Sequence, residues 1–332
     1  MPSIYQLKPA FQNLLRPGVE RLHARGVTAN QVTLTAAIVS LLLGALLAAY
    51  SQLAWLFALI PLWMLLRMAL NAVDGMLARE FGQQSKLGAY LNELCDVIAD
   101  SALYLPFALL PGVSPLLVVV VVLLAVISEY AGVLGPMVGA SRRYDGPMGK
   151  SDRAFCFGVL GAGVATGLLS AWWINALLAL FPYQTWLFAL IPLWMLLRMA
   201  LNAVDGMLAR EFGQQSKLGA YLNELCDVVA DGALYLPFAL LAGVSPILVV
   251  LVVLLAVISE YAGVLGPMVG ASRRYDGPMG KSDRAFVFGV LGAGVASGLL
   301  AAPWINGLLA LMLLLLLLTL VNRVRQGLVE AA

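Results

Sequence analysis

Long apolar stretches, each about the length of a bilayer-crossing helix, alternate along this chain with short polar connections. Crossing the hydrocarbon core takes roughly 20 mostly apolar residues in a helix, and the stretches near 31–50, 54–73, 88–110, 115–138 and 154–171 meet that length. Further stretches near 186–204, 219–241, 246–269, 285–302 and 305–321 bring the predicted spans to about ten. Thr28 with Gln31, and Ser114 before Pro115, have the character of helix starts. Residues 1–27 follow another pattern: Ile4, Leu7, Phe11, Leu14, Leu15, Val19 and Leu22 recur at helical spacing among Lys8, Arg16, Arg21 and Arg25. That spacing predicts an amphipathic helix lying on the membrane surface, with a solvated tail as the alternative. The prolines and charges within it argue against a cleaved leader. The predicted fold class is all-α, a polytopic transmembrane bundle with an N-terminal surface helix.

The pattern also repeats. Shifting the chain by 131 positions lays Trp55–Leu180 on Trp186–Leu311, and ten of those 126 positions differ. The expected organisation is an interfacial segment at 1–27, a first unit at 28–184 whose last span is cut short, and a second unit at 185–332 that lacks the first span. The junction Ile174–Leu196 is read as one outside-to-inside crossing. Connections near 51–53, 111–114, 171–175 and 242–245 carry no charge, whereas Arg79, Lys86, Arg142, Arg143, Lys150 and Arg153 gather at the opposite ends of the same spans. The positive-inside rule puts the basic ends in the cytoplasm, where ten spans also leave Arg323 and Arg325. A bacterial inner membrane is the expected location.

Composition agrees: 61% of the 332 residues are hydrophobic and 11% charged, against about 25% charged in soluble domains. Cys95, Cys156 and Cys226 lie in apolar runs without zinc-ligand spacing and read as packing residues. The single histidine, His23, precedes the first predicted span, which argues against a Ser-His-Asp type of chemistry inside the bundle.

Against this apolar background, the polar residues around 71–100 stand out. Arg67, Asn71, Asp74 and Ala78 share one face of an ideal helix, and Asn92, Glu93, Asp96 and Asp100 fall within an arc of roughly 100° on the next. Ionisable groups at such depth are costly and by default mark a functional site. Several carboxylates in an oxygen-rich setting suit Mg2+ or Mn2+, metals that commonly bridge to substrate phosphates. Gly75, Ala78 and Gly88 leave room for a nucleotide diphosphate to approach the backbone, and Arg79 offers a forked pair of donors to a phosphate.

The spacing Asp74-Gly75-x2-Ala78-Arg79-x8-Gly88-x3-Asn92-x3-Asp96 resembles the signature of the CDP-alcohol phosphatidyltransferase family, D-x2-D-G-x2-A-R-x8-G-x3-D-x3-D. It returns at Asp205, Gly206, Ala209, Arg210, Gly219, Asn223 and Asp227. The resemblance implies transfer of a phosphoalcohol from a CDP-linked lipid or alcohol donor to an acceptor hydroxyl, with release of CMP, in phospholipid biosynthesis. It further implies Asp96 and Asp227 as bases, nucleotide contacts at the glycines, alanines and Arg79 with Arg210, and a divalent metal on the diphosphate. Asn71 and Asn92, like Asn202 and Asn223, stand where the family has aspartates, so Glu93 and Asp100, with Glu224 and Asp231, are candidates to restore the charge. The expected metal set is therefore Asn71, Asp74, Asn92, Glu93, Asp96 and Asp100, and in the second copy Asn202, Asp205, Asn223, Glu224, Asp227 and Asp231.

A basic loop follows in each copy. Arg142, Arg143, Lys150 and Arg153, repeated as Arg273, Arg274, Lys281 and Arg284, satisfy the positive-inside rule in any case; several family members use such a pocket for a phosphate on the acceptor. Glu129, well inside the fourth span, either pairs with Arg67 or lines the cavity. The family's homodimers imply an intramolecular pseudo-dimer here, embedded among membrane lipids, with no nucleic-acid partner. The alternative reading is a catalytically weak or inactive membrane protein that keeps the family fold.

Overall fold

The computed structural model describes residues 8–142, 150–166 and 216–332. Within them run helices α1 (Lys8–Ala24), α2 (Ala29–Ala49), α3 (Leu59–Glu80), α4 (Lys86–Tyr104), α5 (Pro115–Val133) and α6 (Lys150–Ala165). Then follow α7 (Lys217–Tyr235), α8 (Pro246–Val264), α9 (Lys281–Ala296) and α10 (Ala302–Ala331), with no strand among the described residues. The predicted span at 186–204 and the crossing Ile174–Leu196 lie outside the described residues.

Among the described residues, five helical stretches are long and apolar enough to cross a membrane: Ala29–Ala49, Ala54–Glu80, Pro115–Val138, Pro246–Val269 and Ala302–Ala331. The chain is an all-α, polytopic integral membrane protein. The remaining predicted spans are less apolar or shorter, because α4 and α7 each carry three carboxylates and α6 and α9 are 16 residues long. The last helix extends ten residues past its predicted end at 321.

Local sequence explains the helix ends. Thr28 and Gln31 form a capping box at α2, with Gln31 Oε1 accepting from Thr28 N at 2.9 Å and Thr28 Oγ1 accepting from Gln31 N at 3.3 Å. Ser85 and Ser216 cap α4 and α7 alike, each hydroxyl accepting at 2.9 Å from the backbone N–H three residues on, Gly88 and Gly219. Ser114 and Ser245 do the same for α5 and α8.

By packing, the chain forms two compact units: Met1–Leu124 with Tyr144–Ala179, and Ala125–Arg143 with Leu180–Ala332. In the first, α2 packs against α3 and α4, and α6 packs against α3. Gly44 makes the α2–α4 approach possible, since a Cβ there would overlap the carbonyl oxygen of Ala102. Helix α1 docks on this unit: Val19 is buried with Ala29, Val32, Val73, Met76 and Leu77, and Leu15 and Leu22 pack against that cluster. Arg16 pairs with Glu80 at 2.6 Å. Leu14, counted on the apolar face in the sequence pattern, is exposed.

In the second unit α10 lies along α8, and α8 packs against α7. The C-terminal half of α10 also ties down the loop between α8 and α9. Thr319 Oγ1 accepts from Met279 N at 3.0 Å, and Glu330 accepts from Ser272 N and Oγ, both at 2.9 Å, and from Arg274. Gly277 has φ of +129° and sits so close to Thr319 that a Cβ would lie 2.6 Å from the Thr319 Cα. The loop therefore needs glycine there, and α10 fixes its course.

Candidate functional site

In the first unit the motif residues come together where α3 meets α4. Arg67 Nη2 donates to the Asp96 Oδ1 at 3.1 Å and to the Asp96 carbonyl at 3.0 Å, while Nη1 donates to Asp100. Asn71 Nδ2 donates to Asp96 Oδ1 at 3.2 Å, and Lys150 at the start of α6 pairs with Asp96 Oδ2. Asp96 thus has both oxygens engaged and a fixed direction. Asp74, buried on α3, accepts at 2.8 Å from Thr33 Oγ1 of α2. Burying an unpaired charge would be far more costly than any of these bonds gains, which is why each acid here has a partner.

The nucleotide-contact candidates lie nearby. Gly75 leaves room for the Arg79 side chain, whose Nη2 lies 2.8 Å from where a Gly75 Cβ would be. A Cβ on Gly88 would meet Asn30 Oδ1 at 2.7 Å, so α2 closes over the start of α4. Arg79 itself is exposed.

The second unit shows the same acid–lysine pair in the other copy, Lys281 with Asp227. Around it α7, α8, α9 and α10 enclose a cavity of about 310 Å³ lined by Asn223, Glu224, Asp227, Asp231, Glu260, Arg273, Lys281, Arg284 and Arg323, among others. Its wall is a network of buried ion pairs. Arg284 bridges Asp231 at 3.2 Å and Glu260 at 3.1 Å; Arg273 bridges Glu224 at 2.6 Å and Glu260 at 3.1 Å. Arg323 donates to the Ser259 carbonyl at 2.6 Å and pairs with Glu260 at 3.3 Å. Arg273 Nη1 and Nε are buried with no hydrogen-bond partner among the described residues, and the guanidinium lies 4.2 Å from the Tyr275 ring centroid. Outside the cavity Arg274 holds the Asp276 carboxyl below the usual carboxylate range through hydrogen bonds of 2.7 and 3.0 Å.

Of the residues singled out from sequence, Asn71, Asp74, Asp96 and Asp100 lie along one α3–α4 seam, and Lys150 joins them. Asn92 and Asn223 are exposed, whereas Glu93 is buried and Arg153 is buried on α6. Glu129 pairs with Arg142 at 3.0 Å rather than with Arg67. Asn202, Asp205, Gly206, Ala209, Arg210 and Arg143 lie outside the described residues. Arg323 is the residue that sequence reasoning passed over: it reads as one of two basic residues closing an apolar run, but it is 1% exposed and sits in the ion-pair network. Its only sequence signal was a charge continuing the helical register of the last span.

The chemistry of the donor set fits a hard dication only in part. Asp74, Asp96 and the Asn71 amide supply oxygen ligands of the right class, but Asp100 is turned to Arg67 and Asn92 to the surface. No three acidic, histidine or cysteine side chains gather as a metal-holding group among the described residues. The reduced set of Asp74 and Asp96 would need oxygens from a substrate diphosphate to complete a coordination shell.

The chain is similar to known proteins. The family model of the CDP-alcohol phosphatidyltransferases matches the chain twice, over residues 26–191 and 164–325. The inner membrane protein YnbA of Escherichia coli (strain K12) is 50% identical over 163 residues, 49% of this chain and 81% of that protein. The archaetidylinositol phosphate synthase of Aeropyrum pernix is 36% identical over 105 residues, covering 30% of this chain and 53% of that protein. The phosphatidylinositol phosphate synthase of Corynebacterium glutamicum is 34% identical over 104 residues, 31% of this chain and 45% of that protein. The chain thus spans about half the length of these two synthases. With the signature spacing present in both repeats and the family model matching each, the chain belongs to the CDP-alcohol phosphatidyltransferase family.

Proposed function

We propose that this protein transfers a phosphoalcohol group of the phosphatidyl type from a CDP-linked donor to an acceptor hydroxyl in phospholipid biosynthesis. The acceptor oxygen attacks the phosphorus that bears the donor alcohol, its proton passes to Asp96 or Asp227, and the bond from that phosphorus to the bridging oxygen breaks as CMP leaves. The observation that carries this reading is the repeated acid–lysine pair: Asp96 with Lys150 and Asp227 with Lys281 occupy the base position of the signature in both copies. The lysine directs the carboxylate and adds positive charge beside the reacting phosphates. The exposed Arg79, whose side chain lies over Gly75, suits the nucleotide diphosphate. A divalent cation, held at Asp74 and Asp96 together with the diphosphate, would neutralise charge on the leaving group.

The acceptor carries a phosphate of its own. Arg273, Lys281, Arg284 and Arg323 at one cavity of about 310 Å³ support this, and two of the relatives are named for the synthesis of archaetidylinositol phosphate and phosphatidylinositol phosphate. The sites face the cytoplasm of a bacterial inner membrane, in keeping with the basic loops, so cysteines placed at Arg143 and Arg274 should both react only from that side. The test of the activity is CMP release by the purified chain against a panel of CDP-alcohols, with phosphorylated and unphosphorylated acceptors. Release favoured by phosphorylated acceptors supports the reading. No release with any pair, in Mg2+ or Mn2+, would leave the inactive family member as the better account.

A further inference from the structure

The second packing unit takes in Ala125–Arg143, so the C-terminal half of α5 from the first repeat is built into the same unit as the second repeat's cavity. Tyr130, fully buried, donates its hydroxyl to Glu224 Oε2 at 2.8 Å. That same oxygen accepts from Arg273 Nη2 at 2.6 Å. Further along, a Cβ on Gly135 would lie 3.5 Å from the Tyr221 hydroxyl of α7, and the Tyr130 and Tyr261 rings sit 6.0 Å apart. Glu224 therefore has two donors on one oxygen, one from each repeat. Arg273 in turn is shared between Glu224 and Glu260, with Nη1 and Nε left without hydrogen-bond partners among the described residues.

We propose that Tyr130 of the first repeat is a positioning residue for the second repeat's cavity: by fixing Glu224 it sets the direction in which Arg273 meets a phosphate on the acceptor. The proposal rests on the phosphorylated-acceptor reading above. Two fixed donors on one carboxylate oxygen leave Glu224 little rotamer freedom, so Arg273 is held by a carboxylate that cannot follow it. Without the hydroxyl, Glu224 turns with Arg273, and the guanidinium loses its preorganised direction. Each copy of the sequence thus contributes to one cavity, although neither is complete in itself: the repeat supplies Glu224 and Arg273, and the other supplies the hydroxyl that orients them.

Inorganic phosphate, titrated against the purified full-length chain with melting temperature as the readout, tests this without relying on turnover. The parent should show a saturable rise. Tyr130→Phe should raise the half-maximal phosphate concentration about ten-fold, the loss expected for one hydrogen bond to a charged group, alongside a modest fall in the phosphate-free melting temperature from the lost buried bond. Adding Glu224→Gln should bring no further shift, and in an Arg273→Gln background, which removes the guanidinium proposed to meet the phosphate, Tyr130→Phe should shift nothing. A lower phosphate-free melting temperature with an unmoved phosphate midpoint assigns Tyr130 to packing alone and overturns the proposal while leaving the acceptor reading intact. A parent with no saturable response removes the phosphorylated-acceptor reading and this proposal with it.

Discussion

The two units carry nearly the same sequence, yet each is closed by a helix the other copy does not encode. In the first unit α2 stands over the donor motif: Thr33 bonds Asp74, and Asn30 lies against Gly88. In the second, α10 stands over the basic loop: Thr319 and Glu330 fix its backbone, and Arg323 enters the ion-pair network around Glu260. The duplicated block begins after α2 and ends ten residues into α10, so neither closing contact can arise from the repeated sequence. Identical motif residues therefore meet different surroundings. Duplication copied the reactive aspartates with their lysines, but neither α2 nor the C-terminal part of α10.

The largest effect should come from breaking the second unit's charge network. Arg284→Ala leaves Asp231 and Glu260 short of a buried partner and should cost about 3–5 kcal/mol of stability, read as a fall in melting temperature in detergent. Retention of the parental value would show that the network is solvated rather than buried. In the first unit Gly44→Ala drives a methyl against the Ala102 carbonyl, and overpacking of this kind costs about 1–3 kcal/mol; because α2 is not copied, the damage should centre on protease sites within residues 29–104. Thr33→Val removes the hydroxyl that bonds Asp74 and should cost about 1–2 kcal/mol, with a weaker donor interaction from the first repeat alone.

The smallest effect should be at the loop. Arg274 holds the Asp276 carboxyl below its usual range, so this contribution is present above the unfolded carboxylate value of about 3.9 and fades as pH falls through the depressed folded value. Asp276→Asn should therefore lower the melting temperature slightly at pH 7, by less than about 1 kcal/mol for a partly exposed pair, and not at all in strong acid. An equal penalty at both pH values would mean that the carboxylate charge is not what steadies the loop.

Much of this was legible before any fold was in hand. The caps at Thr28, Ser114 and the signature spacing are local features, and local features survive translation into structure. The helices α2, α3, α5, α8 and α10 follow from long, mainly apolar runs. What sequence could not give was the pairing of charges. Helix-face geometry put Asp100 in the same cavity as Asp74, but Arg67 reaches both Asp96 and Asp100 and draws Asp100 into an ion pair. Glu129 found Arg142, thirteen residues along, because the intervening turn brings the chain back beside α5. Arg323 was hidden for the same reason: whether a charge at the end of an apolar helix meets water or a buried carboxylate depends on how far the helix runs and what packs beside it.

The most direct test compares CMP release from the parent with that from Asp96→Asn, Asp227→Asn and the double variant, using the donor and phosphorylated acceptor that the parent prefers. If these aspartates take the acceptor's proton, the double variant should lose at least about 100-fold in turnover while still unfolding in a cooperative thermal transition, and the single variants should divide the parental activity between the two repeats. A double variant that keeps near-normal turnover would contradict the account, because the base would then have to lie outside the acid–lysine pair on which the proposed chemistry rests.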